Sequence, residues 1–146
     1  MRSLKNYLNF IEINKKNINH INFLFERLRN RKFNISHYDM PSMKEHIEFV
    51  NNNPYFKWYL VEKFNKLIGS FYIMYSNSIG IDLENKEINH FGDIIDFIKK
   101  NYKPFPPIKS VRPEKFFINV AADDHKKIKA LELTNSQLVQ STYLID

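Results

Sequence analysis

The chain reads as an α+β protein built on a mostly antiparallel sheet, and three observations say so. Strand-like runs at residues 57–63, 67–75 and 78–84 follow one another across Phe64-Asn-Lys66 and Ser76-Asn77, connections short enough for hairpins. Apolar alternation at Ile79, Ile81 and Leu83 then gives way to helical spacing at Ile94, Ile95 and Ile98. Beyond that helix, Lys115-Phe-Phe-Ile-Asn-Val120 is apolar enough for an inner strand, so the helix is a crossover and at least one strand pair is parallel.

Taken in order, residues 7–13 alternate well enough for an opening strand. Asn17 or Asn19 caps a helix through about residue 29, with Ile18, Ile21, Leu24 and Leu28 on its buried face. After a turn at 33–40, Pro41-Ser42 opens a second helix in which Ser42 and Glu45 have the spacing of a capping box. Ile47 and Val50 give it an apolar side, and Pro54 ends it because proline cannot continue the hydrogen-bond ladder. The three-strand meander follows, then a polar turn and the helix over 93–100, broken by Tyr102-Lys-Pro-Phe-Pro-Pro107. Asp123 or Asp124 caps a short helix ending near Leu133, and residues 137–145 close the chain as a final strand. The order is βααβββαβαβ.

The turn inside residues 77–100 is the stretch with chemical promise. A strand feeding a helix start exposes backbone N–H groups that bind a diphosphate, although ordinary strand-to-helix connections have the same form.

Composition sets the bounds. At 146 residues the chain forms about one domain, 1–146, and 43% hydrophobic with 15% aromatic content gives it a packed core. No apolar run approaches the ~20 residues of a membrane span. The first ten residues lack the apolar centre of a signal peptide, so a cytoplasmic location is expected. With no cysteine, disulfides and thiolate chemistry are excluded, and the five histidines show no paired metal-ligand spacing. The net charge of +6 admits nucleic acid. Yet the densest groups, Arg27-Leu-Arg-Asn-Arg-Lys32 and His125-Lys-Lys-Ile-Lys129, lie beside helices with acidic neighbours, which argues for a solvated surface or a phosphorylated small molecule instead.

The element order resembles that of the GCN5-related N-acetyltransferases (GNAT). The closing segments, residues 118–133 opening Ile118-Asn-Val-Ala-Ala-Asp-Asp124 and then Gln137-Leu-Val-Gln-Ser-Thr-Tyr-Leu-Ile145, follow that superfamily's plan. Arg29-Asn30, Ile35-Ser36 and Ser42-Met-Lys-Glu-His-Ile-Glu-Phe49 resemble the branch that acetylates amino groups on nucleotide-linked sugars. The resemblance implies a GNAT fold, a central mixed, mostly antiparallel sheet of about seven strands flanked by four helices. It also implies transfer of an acetyl group from acetyl-CoA to a primary amine, without a metal. A small-molecule amine would be the partner, a membrane would not, and a homodimer is admitted.

The resemblance further implies a site. Glu87-Ile-Asn-His-Phe-Gly92 stands where the superfamily has its pyrophosphate loop, with Gly92 alone matching the usual residue. The cofactor-binding positions carried over are Ile81, Leu83, His90, Phe91, Gly92, Asp93, Asp124 and Lys127. Ser78, Gly80 and Asp82 share one strand face by alternation, and Asp82 is the candidate base that takes the amine's proton. Leu131 replaces the tyrosine that commonly serves as acid, which leaves Tyr143 as the substitute. Arg29, His37, Asp39 and His46 are the polar groups expected on the acceptor wall, Arg being suited to bidentate phosphate contact. Two other readings follow from the same residues: a GNAT-fold binding or partner protein without turnover, favoured by the eroded loop, and a protein or peptide N-acetyltransferase.

Overall fold

The structure, a computed structural model, describes residues 7–31 and 40–146. Strand β1 (Leu8–Glu12) is followed by helices α1 (Ile18–Arg29) and α2 (Met43–Asn51), strands β2 (Tyr55–Lys63), β3 (Lys66–Met74) and β4 (Ser78–Leu83), helix α3 (Phe91–Asn101), strand β5 (Phe117–Ile118) and helix α4 (His125–Glu132). The five strands lie in sequence order; β1 to β4 are antiparallel and β4 with β5 is parallel. Helix α3 is the crossover that this one parallel pair requires.

Local chemistry accounts for the element ends. The Asn17 side chain accepts from the N–H groups of Asn19 and His20, which starts α1. Ser42 and Glu45 exchange side-chain-to-backbone hydrogen bonds of 3.1 Å each, the capping box that starts α2. Between β2 and β3 the two turn residues, Phe64 and Asn65, both have positive φ (48° and 64°), the backbone twist a two-residue hairpin favours.

Asn77 turns the corner between β3 and β4 at φ 73°. It is fully buried, and its side chain copies a neighbouring strand: Oδ1 accepts from Phe105 N at 2.7 Å while Nδ2 donates to the Phe105 and Pro113 carbonyls. The proline-rich connection after α3 is thereby pinned to the sheet.

Two cores sandwich the sheet. On one face α1 and α2 pack Ile21, Leu24 and Val50 on Leu60. On the other, α3 packs Phe91, Ile94 and Ile98 on Phe71, Ile73, Ile79, Ile81 and Leu83. Phe10, Tyr59 and Phe97 surround Phe71, and the Tyr59 and Tyr102 hydroxyls hydrogen-bond each other.

Four expectations are corrected. Among the described residues the sheet has five strands, not about seven. Residues 137–145 form no strand: they are exposed and pair with no strand among the described residues. Strand β5 is only two residues long, since Asn119 is exposed and the backbone soon turns into α4. Ile18, placed on the buried face of α1, is the helix's first residue and is exposed. No helix among the described residues is long and apolar enough to cross a membrane.

Candidate active site

The parallel pair defines the place where a ligand has access. β4 and β5 meet only at Ser78–Phe117 and Ile79–Ile118. β4 then runs on through Leu83 with no strand on that side among the described residues, and α3 starts beyond its carboxyl end. A notch at the carboxyl ends of parallel strands, beside a helix N-terminus, is where open sheets hold ligands. Helix α4 borders it: Lys127 Nζ reaches across and donates to the Ile81 carbonyl at 2.9 Å. Asp124 caps α4 by accepting from Lys127 N, and its other carboxylate oxygen stands 3.9 Å from Lys127 Nζ. Burial lowers the Lys127 ammonium below its ordinary pKa, with Asp124 and Asp82 opposing that shift and Arg31 and Arg27 adding to it.

The other side of β4 faces α1 and α2. Ser78, Gly80 and Asp82 project there as alternation predicted, the opposite residues Ile79, Ile81 and Leu83 being core. Asp82 is not free: Arg27 Nε meets Oδ2 at 2.9 Å and Arg27 Nη2 meets Oδ1 at 3.0 Å. That hydrogen-bonded pairing raises the Arg27 pKa further. The Tyr72 ring lies over Gly80, where any Cβ would collide with it, so glycine is required at this crossing. Tyr55 stacks on Tyr72 at 4.0 Å with the rings 4° from parallel, and Trp58 meets Tyr55 edge-on. Burial raises both phenol pKa values, leaving Tyr55 and Tyr72 as protonated hydrogen-bond donors at neutral pH.

The expected phosphate loop has a different form from an open glycine-rich turn. Residues Asn85–His90 make a 3-10 helix that runs directly into α3. At three residues per turn Glu87 and His90 fall on one side, and both are buried. Lys63 Nζ donates to Glu87 Oε2 at 2.8 Å, and His90 lies between Glu87 (3.4 Å) and Asp93 (3.2 Å). Phe91 is core. Gly92 is open: a Cβ there would meet nothing within 4 Å. The α3 start has no side-chain cap, although Asp93 stands exposed in its first turn.

The structure thus gathers Asp82, Asp124 and Lys127 about the β4 edge, while Gly92 and Asp93 lie at the start of α3. The side chains of Ile81 and Leu83 belong to the core, so only their backbone is available to a ligand. His46 is buried between α1 and α2 with Nε2 3.0 Å from the Ile21 carbonyl, which removes it from an acceptor wall. Arg29 is a surface residue over Phe25, 3.4 Å from Glu26. Tyr143, at 82% exposure, stands in water rather than on a strand. His37 and Asp39 lie outside the described residues. Sequence reasoning missed Arg27, Tyr55 and Tyr72. The available signal for Arg27 was its position three residues after buried Leu24, beside the apolar stripe of α1.

Gly92 stands open and the α3 start has no side-chain cap, although the Phe91 N–H is spent on the Ile88 carbonyl, and on the β4 edge the Ile81 carbonyl is taken by Lys127. No group of His, Asp and Glu among the described residues could hold a metal ion.

No protein-family model matches the chain, and no curated protein matches it in sequence. Solved structures do. An aminoglycoside acetyltransferase from an uncultured soil metagenomic sample, in complex with sisomicin, superposes with a TM-score of 0.53 at 14% identity, over 99% of this chain and 100% of that one. A possible acetyltransferase from Clostridium difficile 630 gives 0.53 at 10% identity, over 96% and 99%. A spermidine N-acetyltransferase variant from Vibrio cholerae gives 0.54 at 18% identity, over 87% and 77%. The α+β fold of this chain, with one mixed sheet and four α-helices among the described residues, is the GNAT fold.

Proposed function

We propose that this protein is an acetyl-CoA-dependent N-acetyltransferase whose acceptor is a primary amine carried on an anionic molecule, a nucleotide-linked amino sugar being the leading candidate. The observation that carries the acceptor class is the Arg27–Asp82 pair. A polycationic acceptor needs uncommitted carboxylates. Among the described residues the half-buried Asp82 carboxylate on β4 is already held by a guanidinium, and Arg31 and Lys127 stand near that pair together with Asp124 and Glu84. An acceptor bearing phosphate finds its complement there, and the Tyr55–Trp58–Tyr72 cluster offers a ring surface for a sugar or base.

The donor supplies an activated acetyl group. The Gly92 and α3-start backbone would hold its phosphates, and the β4 edge from Gly80 to Leu83 would hold its extended arm, flanked by Asp124 and Lys127. The Arg27 guanidinium orients Asp82, which would accept a hydrogen bond from an arriving ammonium and draw off its proton. Lys127, made more acidic by burial, is the proton donor available on the α4 side, where Leu131 offers none. Tyr143 can serve only if its segment leaves the solvent.

The test is calorimetric titration with acetyl-CoA, then release of CoA thiol measured with an amino-sugar nucleotide, spermidine and a basic peptide. The reading expects micromolar to millimolar cofactor binding and fastest turnover with the amino-sugar nucleotide. No cofactor binding at millimolar concentration overturns the enzyme; preference for spermidine or peptide overturns the acceptor class. The closed 3-10 turn and Leu131 favour one second reading, a GNAT-fold binding protein without turnover. Cofactor binding with no turnover on any amine would support it.

A further inference from the structure

Five of the chain's six net positive charges fall in one stretch, residues 99–115, where Lys99, Lys100, Lys103, Lys109, Arg112 and Lys115 stand against a single carboxylate, Glu114. The five lysines are exposed, and among the described residues none of them is in an ion pair. Charge concentrated in this way draws anions to one place on the surface.

The stretch is held in a fixed shape. Asn77 Nδ2 donates to the carbonyls of both Phe105 and Pro113, which sets the two limbs of the connection between α3 and β5 side by side and puts Lys103 and Lys115 at its base. At the tip the Ile108 and Arg112 backbones pair, Ile108 N donating to the Arg112 carbonyl at 2.9 Å and Arg112 N to the Ile108 carbonyl at 2.8 Å. Ser110 turns the chain there at φ 63°. The Arg112 guanidinium donates to the Pro106 and Tyr75 carbonyls and lies over the Phe105 ring, which fastens the tip to the sheet. A loop braced at base and tip has its outward side chains in place before any partner arrives.

Those outward side chains are apolar as well as basic. Ile108 and Val111 are 47% and 73% exposed at the tip, on either side of Lys109 and Ser110, and Tyr75 is 56% exposed at its foot. The tip is convex, narrow and aliphatic, whereas single-stranded nucleic acid asks for a groove with aromatic faces on which bases stack. Two branched aliphatic chains ringed by cations suit a bilayer surface instead. The aliphatic groups enter the headgroup layer, the cations meet anionic headgroups, and a tyrosine beside them sits at interface depth.

We propose that the loop 103–115 docks this protein on the surface of a bilayer containing anionic lipid, with Ile108 and Val111 inserted and Lys103, Lys109 and Lys115 among the headgroups. The loop leaves the sheet beside Asn77, at the amino end of β4, while the notch lies at the carboxyl end, about 20 Å away along the strand. Docking therefore leaves the notch open to water, and the proposal stands or falls apart from the acetyl-transfer reading. It needs no spanning helix, and it departs from the expectation that a membrane takes no part. Each cation at the surface is worth roughly fivefold in partitioning, so the contact is reversible and salt-sensitive.

Co-sedimentation with vesicles tests it. At about 0.1 M salt the full chain should bind phosphatidylcholine vesicles carrying about 30% phosphatidylserine, ignore pure phosphatidylcholine vesicles, and come off the anionic ones at about 0.5 M salt. Ile108→Ser/Val111→Ser should weaken binding at least about tenfold. Lys103→Glu/Lys109→Glu should weaken it at least about 25-fold. Both variants should keep the melting temperature, since all four side chains are exposed. Because the chain has no cysteine, Val111→Cys takes a single polarity-sensitive dye, whose emission should shift to the blue on anionic vesicles. The same dye on Lys86→Cys, an exposed position at the notch end, should not shift. No binding to anionic vesicles at millimolar lipid overturns the proposal. So does binding that the serine pair leaves unchanged, which would reduce the contact to charge alone. A single-stranded oligonucleotide that binds through Lys103 and Lys109, and that vesicles do not displace, overturns it in favour of nucleic acid.

Discussion

Arg27 on α1 grips both carboxylate oxygens of Asp82 on β4, at 2.9 and 3.0 Å, and so ties the first helix to the strand that borders the notch. The two side chains are only 17% and 22% exposed, so removing either leaves a half-buried charge without its partner. Asp82→Asn and Arg27→Met should each lower stability by about 1–3 kcal/mol. The double variant should cost less than the sum by about 1 kcal/mol. Arg27→Lys, which keeps the charge and loses the planar fork, should fall between. Urea midpoints for the four proteins check this; strict additivity would remove the pair as a unit.

Acid sensitivity should originate in part at Glu87. The hydrogen bond from Lys63 holds its carboxyl below the usual value of 4.5, with the Lys63 charge and His90 adding to the effect. A carboxyl whose folded value is depressed contributes stability that is complete above the unfolded value and is lost as pH falls through the folded one. Lys63→Met should therefore destabilise at pH 7 by roughly 1–3 kcal/mol, from the loss of Glu87's charged partner. It should also flatten the fall in stability below about pH 4.5. Denaturant midpoints from pH 3 to 7 test both parts, and an unchanged acid limb would assign the sensitivity elsewhere.

Asn77 performs two separable tasks, a left-handed turn and a strand-like side-chain pairing with Phe105 and Pro113. Asn77→Ala loses both. It should cost about 3 kcal/mol for three unsatisfied buried groups and about 1 kcal/mol more for the turn. Asn77→Gly retains the turn and should be less damaging by about that last amount. Thermal melts rank the three; equal losses in the two variants would mean that φ carries no cost here.

The two glycines of the site should behave oppositely. Gly92→Trp enters open space, so the melting temperature should stay within a few degrees while acetyl-CoA affinity falls at least tenfold. Gly80→Ala collides with the Tyr72 ring and should destabilise by about 1–3 kcal/mol, a loss that Tyr72→Ala in the same chain should partly restore. Titration calorimetry and melts separate the pair. Unchanged affinity in the tryptophan variant would show that the phosphate site lies away from α3.

Much of the fold was legible because its signals are local. Alternation at Ile79, Ile81 and Leu83 places Ser78, Gly80 and Asp82 on the opposite face, and the helical repeat of Ile94 and Ile98 aims α3 at the sheet. Side-chain chemistry within three residues gave the Ser42 cap and narrowed the others to Asn17 or Asn19 and Asp123 or Asp124, of which the structure uses Asn17 and Asp124. The site was less legible. Asp82 was readable as a carboxylate on the face it shares with Ser78 and Gly80, but its partner Arg27 is 55 residues away and nothing local announces it. Likewise His46 reads as a helix-surface histidine until α1 covers it and offers the Ile21 carbonyl.

The sequence by itself determined the order and kind of the elements up to α4 and the alternation of each strand, since periodicity and capping act over a few residues. Only the tertiary structure decided which charges are already spent. It closed Glu87 and His90 into a 3-10 turn against Lys63, gave Asp82 to Arg27, and set Lys127 on the Ile81 carbonyl. It also decided that residues 137–145, strand-like in every local respect, pair with no strand among the described residues. A strand is made by its neighbour's hydrogen bonds, and a neighbour is not a local property.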